Sequence, residues 1–231
     1  MEVFVCGALG RMGELIVERV REEKDMELAG AVVKEENIPG FIADTELEDA
    51  LKGHKKSIVV DFTEPEATVK HAEIALSMGH NMVIGTTGLT EEEIERIKDL
   101  ADKSKASVVL SPNFSLGINV LLKAAELISQ KLGGYDADII EIHHRNKIDR
   151  PSGTAIAISQ RLIQKADIHS IRAGDIFGEH TVMFAGSGEK LEVKHTALGR
   201  DCFVSGVIRA IRWVYGLSDG EIHSMEEVLG L

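Results

Sequence analysis

Residues 2–13 read EVFVCGALGRMG, an apolar, β-branched run that leads directly into three glycines spaced three residues apart. The apolar run predicts a strand, and one helix face follows it at Met12, Leu15, Ile16 and Val20. A glycine turn between a first strand and a first helix lets the backbone approach a pyrophosphate at the positive end of the helix. The spacing is GxxGxxG rather than GxGxxG, so a tight turn without a ligand is the alternative interpretation.

The sequence up to residue 113 continues to alternate strand-like and helix-like runs, which is typical of a parallel α/β sheet. The predicted strands are residues 2–6, 27–33, 57–62, 81–84 and 107–110. Thr90 and Glu93 form a capping box that predicts where one of the intervening helices begins. We therefore predict an α/β fold whose N-terminal domain is a Rossmann-type parallel sheet.

From Ser115 the pattern changes and predicts a second, smaller α+β domain with a mixed or antiparallel sheet. A long helix pattern is followed by a strand at 138–144, a helix at 154–165, two β-like runs at 180–185 and 190–196, and a last helix at 203–215. Gly186, Ser187 and Gly188 join the two β-like runs. A short glycine-rich connection between adjacent runs predicts an antiparallel hairpin.

Composition and charge narrow the classes of function. The 231 residues include 26 Lys and Arg against 38 Asp and Glu, and the formal net charge of −12 opposes binding to a nucleic-acid backbone. No apolar run reaches the roughly 20 residues of a membrane span, and the first residues show no secretory-signal pattern. Cys6 and Cys202 lie in apolar stretches, so we expect buried free thiols and a cytoplasmic protein. With nucleic acid and membrane disfavoured, we expect the binding partner to be a small molecule.

Three further segments follow predicted strands and are candidates for cofactor binding. Lys34 follows the second strand, where dinucleotide-binding domains usually carry an acidic residue for the adenosine ribose. A lysine attracts a 2′-phosphate instead, so we expect use of both NADPH and NADH, with NADPH favoured. The other two segments are Gly85, Thr86 and Thr87 after the fourth strand, and Ser111, Pro112, Asn113 and Phe114 after the fifth. The alternatives are a solvated lysine, with Glu35 turned inward in the acidic position, and ordinary polar turns.

The densest positive charge in this acidic chain lies in residues 143–150, HHRNKIDR, with two histidines, two arginines and a lysine. Adjacent histidines at a strand end point to opposite faces, and no acidic or cysteine partner has metal-ligand spacing, so we expect no metal there. PSGT at 151–154 predicts a helix N-terminus that attracts a carboxylate or phosphate. Together these features predict a pocket for a small anion with more than one acidic group. A solvated basic loop before an ordinary helix is the alternative.

The motifs have a characteristic order: GALGRMG at 7–13, DFT at 61–63, GTTG at 85–88, NFS at 113–115, HHRNK at 143–147, PSGTA at 151–155 and RAGDIFGEHT at 172–181. In this order and spacing the chain resembles the 4-hydroxy-tetrahydrodipicolinate reductase family, also called dihydrodipicolinate reductase, over nearly its whole length. The resemblance implies NAD(P)H-dependent reduction of 4-hydroxy-tetrahydrodipicolinate to tetrahydrodipicolinate in lysine and diaminopimelate biosynthesis. It also implies a Rossmann domain from residues 1–114 and 206–231, a substrate-binding and oligomerisation domain from 115–205, a homotetramer, and hydride transfer in the cleft between the domains.

The resemblance also assigns roles to individual residues. It implies that the cofactor pyrophosphate is bound by Gly7, Ala8, Leu9, Gly10, Arg11 and Met12. It implies that the nicotinamide is lined by Gly85, Thr86, Thr87, Ser111, Pro112, Asn113 and Phe114. His143 and Lys147 take the catalytic positions, with Lys147 as proton donor. His144, Gly153 and Thr154 take the substrate-binding positions.

Three departures from the family pattern are visible. Lys34 replaces an acidic residue, Arg150 adds a positive charge, and the segment between the helix after Thr154 and Arg172 is shorter than in many relatives. Two other functions stay open: a related Rossmann dehydrogenase for an amino acid such as aspartate, and a non-catalytic NAD(P)H-sensing protein. An amino-acid dehydrogenase would not explain why HHRNK is followed by PSGT. A sensor protein would not explain why His143 and Lys147 are both present.

Overall fold

The first predicted strand lies inside a seven-stranded parallel sheet in the computed structural model, which describes all 231 residues. The strands are β1 Glu2–Cys6, β2 Glu27–Val33, β3 Ile42–Ala43, β4 Ile58–Asp61, β5 Asn81–Ile84, β6 Val108–Leu110 and β11 Ile222–His223. Their order is β11-β6-β5-β4-β1-β2-β3. The strand order therefore reverses between β1 and β4, which is where open parallel sheets bind ligands at the carboxyl ends of their strands.

This sheet belongs to one of two compact units, which comprises Met1–Phe114 and Phe203–Gly230. Its helices are α1 Gly13–Glu22, α2 Leu47–Leu51, α3 Pro65–Ser77, α4 Glu91–Ser104, α7 Asp201–Tyr215 and α8 Met225–Leu229, with a 3₁₀ turn at Asp44–Glu46. Val3, Val5 and Val59 are fully buried, as expected for a parallel sheet covered by helices. None of the helices in the structure combines the length and the apolar composition that crossing a bilayer requires.

The second compact unit, Ser115–Cys202 with Leu231, contains four strands in the order β10-β9-β7-β8. Its elements are α5 Leu116–Lys131, β7 Asp136–His143, α6 Gly153–Arg161, β8 Asp167–Arg172, β9 Gly178–Gly186 and β10 Glu189–Ala197. β7 pairs in parallel with β8 and antiparallel with β9, so the sheet is mixed. Apolar side chains of α5 and α6 pack against Ile139, Val182 and Phe184 of the sheet. The predicted fold class is confirmed.

Local sequence signals predicted many element boundaries. β1, β2 and β5 span the predicted residues, and the predicted hairpin is formed by β9 and β10 with Ser187 and Gly188 in its turn. The capping box is also confirmed, because the Thr90 hydroxyl accepts a hydrogen bond from the Glu93 amide at 3.2 Å and the Glu93 carboxylate accepts one from the Thr90 amide at 2.7 Å. Turn and cap chemistry therefore acts here as the sequence indicated.

Several elements differ from the prediction. The helix predicted at 154–165 ends at Arg161, and Gln164 beyond it instead donates to the Leu132 carbonyl oxygen at the end of α5. β3, β11, α2 and α8 were missed because two to five residues carry no usable periodicity. β8 was missed because the two apolar residues of its sequence, DIHSIR, are three positions apart, which breaks the alternation expected of a strand. Cys202 is half-buried rather than buried, and its thiol donates to the Gly199 carbonyl oxygen.

A histidine fixes the last strand of the seven-stranded sheet. His223 Nδ1 lies 3.0 Å from a Glu227 carboxylate oxygen, and its Nε2 lies 3.2 Å from both carboxylate oxygens of Asp219. Burial alone would lower the pKa of His223, but the two carboxylates outweigh burial and raise it. The pKa of each carboxyl group is lowered in turn, so both stay ionised in mildly acidic solution.

We expect His223→Gln to destabilise the protein most near pH 6. A raised folded-state pKa means that the charged histidine contributes its full stability below its unfolded pKa and loses it as the pH rises through the folded value. Chemical unfolding should show a loss of roughly 1 kcal/mol at pH 6 and a smaller loss at pH 9. Equal losses at the two pH values would contradict this account.

Candidate active site

Glycines close the turn after β1 by letting backbone segments touch. A Cβ atom on Gly7 would lie 2.8 Å from the Phe62 carbonyl oxygen, and one on Gly13 would lie 2.0 Å from the Gly7 carbonyl oxygen. α1 begins directly after this turn, and its N-cap residue, Met12, makes no side-chain capping bond. The helix N-terminus is therefore open to an anionic group, and this arrangement fits the pyrophosphate of a dinucleotide.

The other residues of the turn divide into anchored and exposed ones. The amides of Gly7 and Ala8 both donate to the Val32 carbonyl oxygen at 3.0 Å, which ties the turn to β2. Gly10 and Arg11 are exposed, and Leu9 is 46% exposed although it is apolar.

A buried carboxylate, Asp61 at the end of β4, organises the neighbouring strand ends. Its Oδ2 lies 2.6 Å from His71 Nδ1, and its Oδ1 accepts hydrogen bonds from the hydroxyls of Thr63, Thr68 and Thr86 at 2.7, 2.9 and 3.0 Å. Burial raises the pKa of Asp61, but the hydrogen bonds from His71 and the threonines more than offset this and lower it. The network fixes β4, β5 and α3 together, and it occupies the hydroxyl of Thr86.

Cys6, Asp61 and His71 are of metal-ligating types and lie close together, but their chemistry is that of a hydrogen-bond network. His71 Nδ1 is already bonded to Asp61. Burial and the nearby carboxylates of Asp61 and Asp44 raise the pKa of the Cys6 thiol, which keeps it protonated. A protonated thiol is not a metal ligand.

The remaining predicted cofactor segments lie at the carboxyl ends of the adjacent strands β5 and β6. A Cβ atom on Gly85 would lie 2.2 Å from the ring of Phe62, so only glycine fits there. The Phe62 ring in turn lies 5.6 Å from that of Phe114, centroid to centroid. Ser111 Oγ donates to the Asn113 carbonyl oxygen at 3.0 Å and shapes the turn, while Thr87 and Pro112 are exposed.

A cavity of about 760 Å³ opens at the carboxyl ends of β1, β2 and β4 within the first unit. Gly7, Val33, Lys34, Thr63, His71 and Ile74 are among the residues that line it. Lys34 Nζ lies 3.3 Å from a carboxylate oxygen of Glu64, and both side chains are largely exposed. The cavity is of the size that small-molecule sites have, and most of its lining residues are charged or polar.

In the second unit, Glu141 orients the predicted catalytic histidine. Its fully buried carboxylate is bonded to His143 Nδ1 and accepts a bidentate pair from Arg172 at 2.9 and 2.7 Å. Burial raises the pKa of Glu141, but the bonds from Arg172, Ser170 and His143 lower it to about 2. The carboxylate is therefore ionised and can only accept, so Nδ1 carries a proton.

His143 is consequently a hydrogen-bond acceptor at its other nitrogen when it is neutral. Burial lowers its pKa, Glu141 raises it in part, and the charges of Lys147 and Arg172 lower it further. A Cβ atom on Gly178 would lie 3.0 Å from Nε2, so the missing side chain leaves space beside this nitrogen. At neutral pH, Nε2 therefore presents a lone pair rather than a proton.

Lys147 supplies the positive charge next to this histidine. Its Nζ lies 2.8 Å from a carboxylate oxygen of Asp149, and 24% of its side chain is exposed. Its amide donates to the carbonyl oxygen of His144, which is half-buried just beyond the end of β7. The loop thus folds back on itself and keeps the ammonium group close to the end of the strand.

α6 begins where the sequence predicted a helix N-terminus. Ser152 is its N-cap, and the Ser152 hydroxyl accepts from the Ala155 amide at 3.2 Å. Gly153 is exposed and Thr154 half-buried in the first turn. Behind them, buried His180 lies 3.1 Å from the Ser152 hydroxyl, and burial lowers the pKa of His180 to about 4. A neutral histidine therefore supports the cap.

Sequence reasoning missed Asp61, His71, Glu141, Arg172 and His180 as functional residues, although most lie inside the quoted motifs. One signal was available: Glu141 and His143 are two apart on a strand, so their side chains share a face. Arg172 could not be placed, because β8 was not predicted. His180 lies in a motif whose role depends on pairing between β7 and β9.

A Rossmann unit with an open helix N-terminus and a second unit with an oriented histidine and a lysine define a nucleotide-binding oxidoreductase. The family description "Dihydrodipicolinate reductase, N-terminus" matches residues 1–114, and "Dihydrodipicolinate reductase, C-terminus" matches residues 117–229. The chain belongs to the dihydrodipicolinate reductase family, and the family predicted from the sequence is confirmed.

Curated relatives align with this chain over its full length. The chain is 40% identical to the 4-hydroxy-tetrahydrodipicolinate reductase of Methanosarcina barkeri, with all of both chains covered. It is 38% identical to the reductase of that name from Aquifex aeolicus, with 100% and 99% covered. The match to the Methanococcus aeolicus reductase extends over 271 aligned positions. At least 40 of these are gaps in the present chain of 231 residues.

Solved structures show the same fold. A dipicolinate-bound dihydrodipicolinate reductase from Paenisporosarcina sp. TG-14 superposes with a TM-score of 0.86 at 26% identity, covering 98% of each chain. An aspartate dehydrogenase from Thermotoga maritima superposes with a TM-score of 0.54 at 18% identity, covering 92% of this chain and 95% of the other. The second likeness concerns the fold alone.

We expect Gly13→Ala to abolish tight cofactor binding. The new methyl group would overlap the Gly7 carbonyl oxygen and push the turn away from the N-terminus of α1. Titration with NADH should show an affinity lower by roughly ten-fold or more. Gly216→Ala is the control, because a Cβ atom there meets nothing within 4 Å. Unchanged NADH affinity in Gly13→Ala would remove the turn from the cofactor site.

Proposed function

We propose that the chain catalyses the NAD(P)H-dependent reduction of 4-hydroxy-tetrahydrodipicolinate to tetrahydrodipicolinate in lysine and diaminopimelate biosynthesis. The family and the names of the curated relatives support this proposal. The observation that carries it is the Glu141-oriented His143 with Lys147 in a cationic loop ahead of α6. A cluster of positive charge in a chain of net negative charge favours the binding of a small anion at that loop.

The cofactor is held by the first unit in this proposal. Gly7, Ala8, Leu9, Gly10, Arg11 and Met12 bind the pyrophosphate, and Gly85, Thr86, Thr87, Ser111, Pro112, Asn113 and Phe114 line the nicotinamide. When bound, the reduced nicotinamide supplies the hydride. Thr86 contributes through its backbone, since its hydroxyl is engaged by Asp61. Both NADPH and NADH are used, and Lys34 favours NADPH because its ammonium group attracts the 2′-phosphate of that cofactor.

The substrate is held by the second unit. His144, Gly153 and Thr154 bind its carboxylates, and the positive end of α6 favours the negative charge. A dicarboxylate fits this arrangement, and the solved relative from Paenisporosarcina binds dipicolinate. The carboxylates also meet the positive charge of Lys147.

Lys147 and His143 divide the proton chemistry between them. The 4-hydroxyl group leaves as water before or during reduction. Hydride from the reduced nicotinamide adds to a ring carbon of the conjugated imine, and a nearby acid must neutralise the negative charge that builds on the adjoining atoms. Lys147 is the proton donor, because its ammonium group can donate a proton whereas His143 Nε2 presents a lone pair. His143 accepts a hydrogen bond at Nε2 and orients the reacting group, and Glu141 holds its ring in place.

We further propose that the chain assembles as a homotetramer through the outer face of the four-stranded sheet. α5 and α6 pack on one face, while the other carries Ile140, Ile142, Ile171 and Met183, which lie outside the core cluster. The same face also carries charged residues, among them Asp138, His169 and Lys194, but its apolar side chains on β7, β8 and β9 favour burial against further copies of the chain. We also propose that the protein is cytoplasmic, because both of its cysteines are free thiols.

A coupled assay tests the activity directly. Condensation of pyruvate with aspartate semialdehyde supplies the substrate, and the loss of absorbance of NADPH and NADH is followed in separate reactions. We expect rapid oxidation that depends on the condensation product with either cofactor. Cofactor binding without any oxidation would instead favour a sensor protein.

Lys147→Ala should lower kcat by on the order of a hundred-fold or more, since a general acid contributes that much. The affinity for NADPH should stay the same, because Lys147 belongs to the second unit. Lys165→Ala, which removes an exposed lysine from the same unit, should change neither quantity. An equal loss of cofactor affinity in Lys147→Ala would contradict the role assigned to this residue.

Ile140→Lys should break the assembly without unfolding the chain, because it places a charge on the outer sheet face. Light scattering should give four times 25.2 kDa for the unaltered protein and a smaller multiple for the variant. The control is Ile163→Lys, at an exposed position outside the sheet. An unchanged mass for Ile140→Lys would place the interface elsewhere.

A further inference from the structure

The cavity beside the first unit's strand ends is more acidic than a site for a phosphorylated ribose should be. Five carboxylates line it, from Asp44, Glu48, Glu64, Glu66 and Glu73. Only two lysines, Lys34 and Lys70, line it with them. A ligand group with about two negative charges therefore meets a wall whose net charge is itself negative.

Both lysines of the cavity already have carboxylate partners. Lys34 Nζ lies 3.3 Å from Glu64, and Lys70 Nζ lies 2.8 Å from Glu66. The pKa of Glu66 is lowered by its bond to Lys70 and by the more distant charge of Lys34. Neither lysine is thus an uncompensated positive charge.

Lys34 and Glu64 come together through the topology of the sheet. Lys34 directly follows β2, and Glu64 lies three residues beyond the end of β4, on the other side of β1. In the Rossmann arrangement the end of the second strand faces the adenosine ribose. Glu64 consequently places a negative charge beside Lys34, at the strand end where a 2′-phosphate is distinguished from a hydroxyl.

We propose that Glu64 is a specificity-determining residue that masks Lys34 and removes most of its preference for NADPH over NADH. This inference rests on the proposed use of NAD(P)H. The NADPH-favouring lysine at the strand end and the masking glutamate act against each other, so the chain accepts both cofactors with little discrimination. The masking is an electrostatic effect between exposed groups, so its size depends on ionic strength.

The test compares dissociation constants of NADPH and NADH by equilibrium fluorescence titration, with no substrate present. Glu64→Gln keeps the side-chain shape and removes the charge. At low ionic strength it should tighten NADPH binding by about five-fold and leave NADH binding unchanged, and about 0.5 M salt should reduce the effect. Lys34→Ala should weaken NADPH binding more in the Glu64→Gln background than in the unaltered protein.

Glu95→Gln is a matched control. Glu95 pairs with Lys98 at the same 3.3 Å distance as Glu64 with Lys34, and the two glutamate side chains are equally exposed, at 64%. Glu95 does not line the cavity, so this variant should leave the NADPH to NADH ratio unchanged. Adenosine 2′,5′-bisphosphate and adenosine 5′-monophosphate, titrated in the same way, isolate the contribution of the 2′-phosphate.

The possible outcomes separate this inference from the proposed function. An unchanged ratio in Glu64→Gln, with both cofactors still bound, overturns the role of Glu64 and leaves the reductase proposal intact. An equal shift in Glu95→Gln overturns it as well, because the effect would then come from net charge alone. Failure of the unaltered protein to bind either cofactor counts against the proposed function itself.

Discussion

The bond between the Glu141 carboxylate and His143 Nδ1 is the interaction on which the second unit's site depends. Glu141 is ionised although it is fully buried, because its carboxylate accepts hydrogen bonds from Arg172 and His143. Removing one partner from such a buried arrangement typically costs about 3–5 kcal/mol, since a charge is left uncompensated. The same interaction fixes which nitrogen of His143 is free, so the stability of the sheet and the chemistry of the site cannot be altered separately.

Asp61 has a similar place in the first unit. It is likewise a buried carboxylate at a strand end, and it is stabilised by a histidine and hydroxyl groups. The two carboxylates organise their sites by different means, because Asp61 has no arginine partner and depends on threonines from α3 and from the loops after β4 and β5. In both units a residue that need not touch a ligand determines where the ligand-facing groups stand.

Local sequence determines much of this fold, and long-range contacts determine the rest. The glycine turn, the capping box and the hairpin were predictable because neighbouring residues specify them. The partner of Lys34 was not, because Glu64 lies thirty residues away and reaches it only through the order of β2, β1 and β4. Thr86 shows the same limit: its position at a strand end suggested a hydroxyl facing a ligand, but burial by α3 turned that hydroxyl towards Asp61. The proposed catalytic residues, His143 and Lys147, were visible as a motif. The orientation of His143 by Glu141 and Arg172 was not, because Arg172 lies on β8, a strand that pattern alone did not reveal.

The strand order of the parallel sheet has a consequence for synthesis on the ribosome. β11 pairs with β6, and the side-chain amide of Asn81 donates to the carbonyl oxygens of Val214 and Leu217, so residues 203–230 complete a sheet that begins at residue 2. Residues 115–202 emerge before these and form a separate compact unit. Domains generally fold as units while the chain is being made, so the inserted unit can fold first. The nucleotide-binding sheet must wait, with the edge of β6 unpaired, until the last helix and strand have left the exit tunnel.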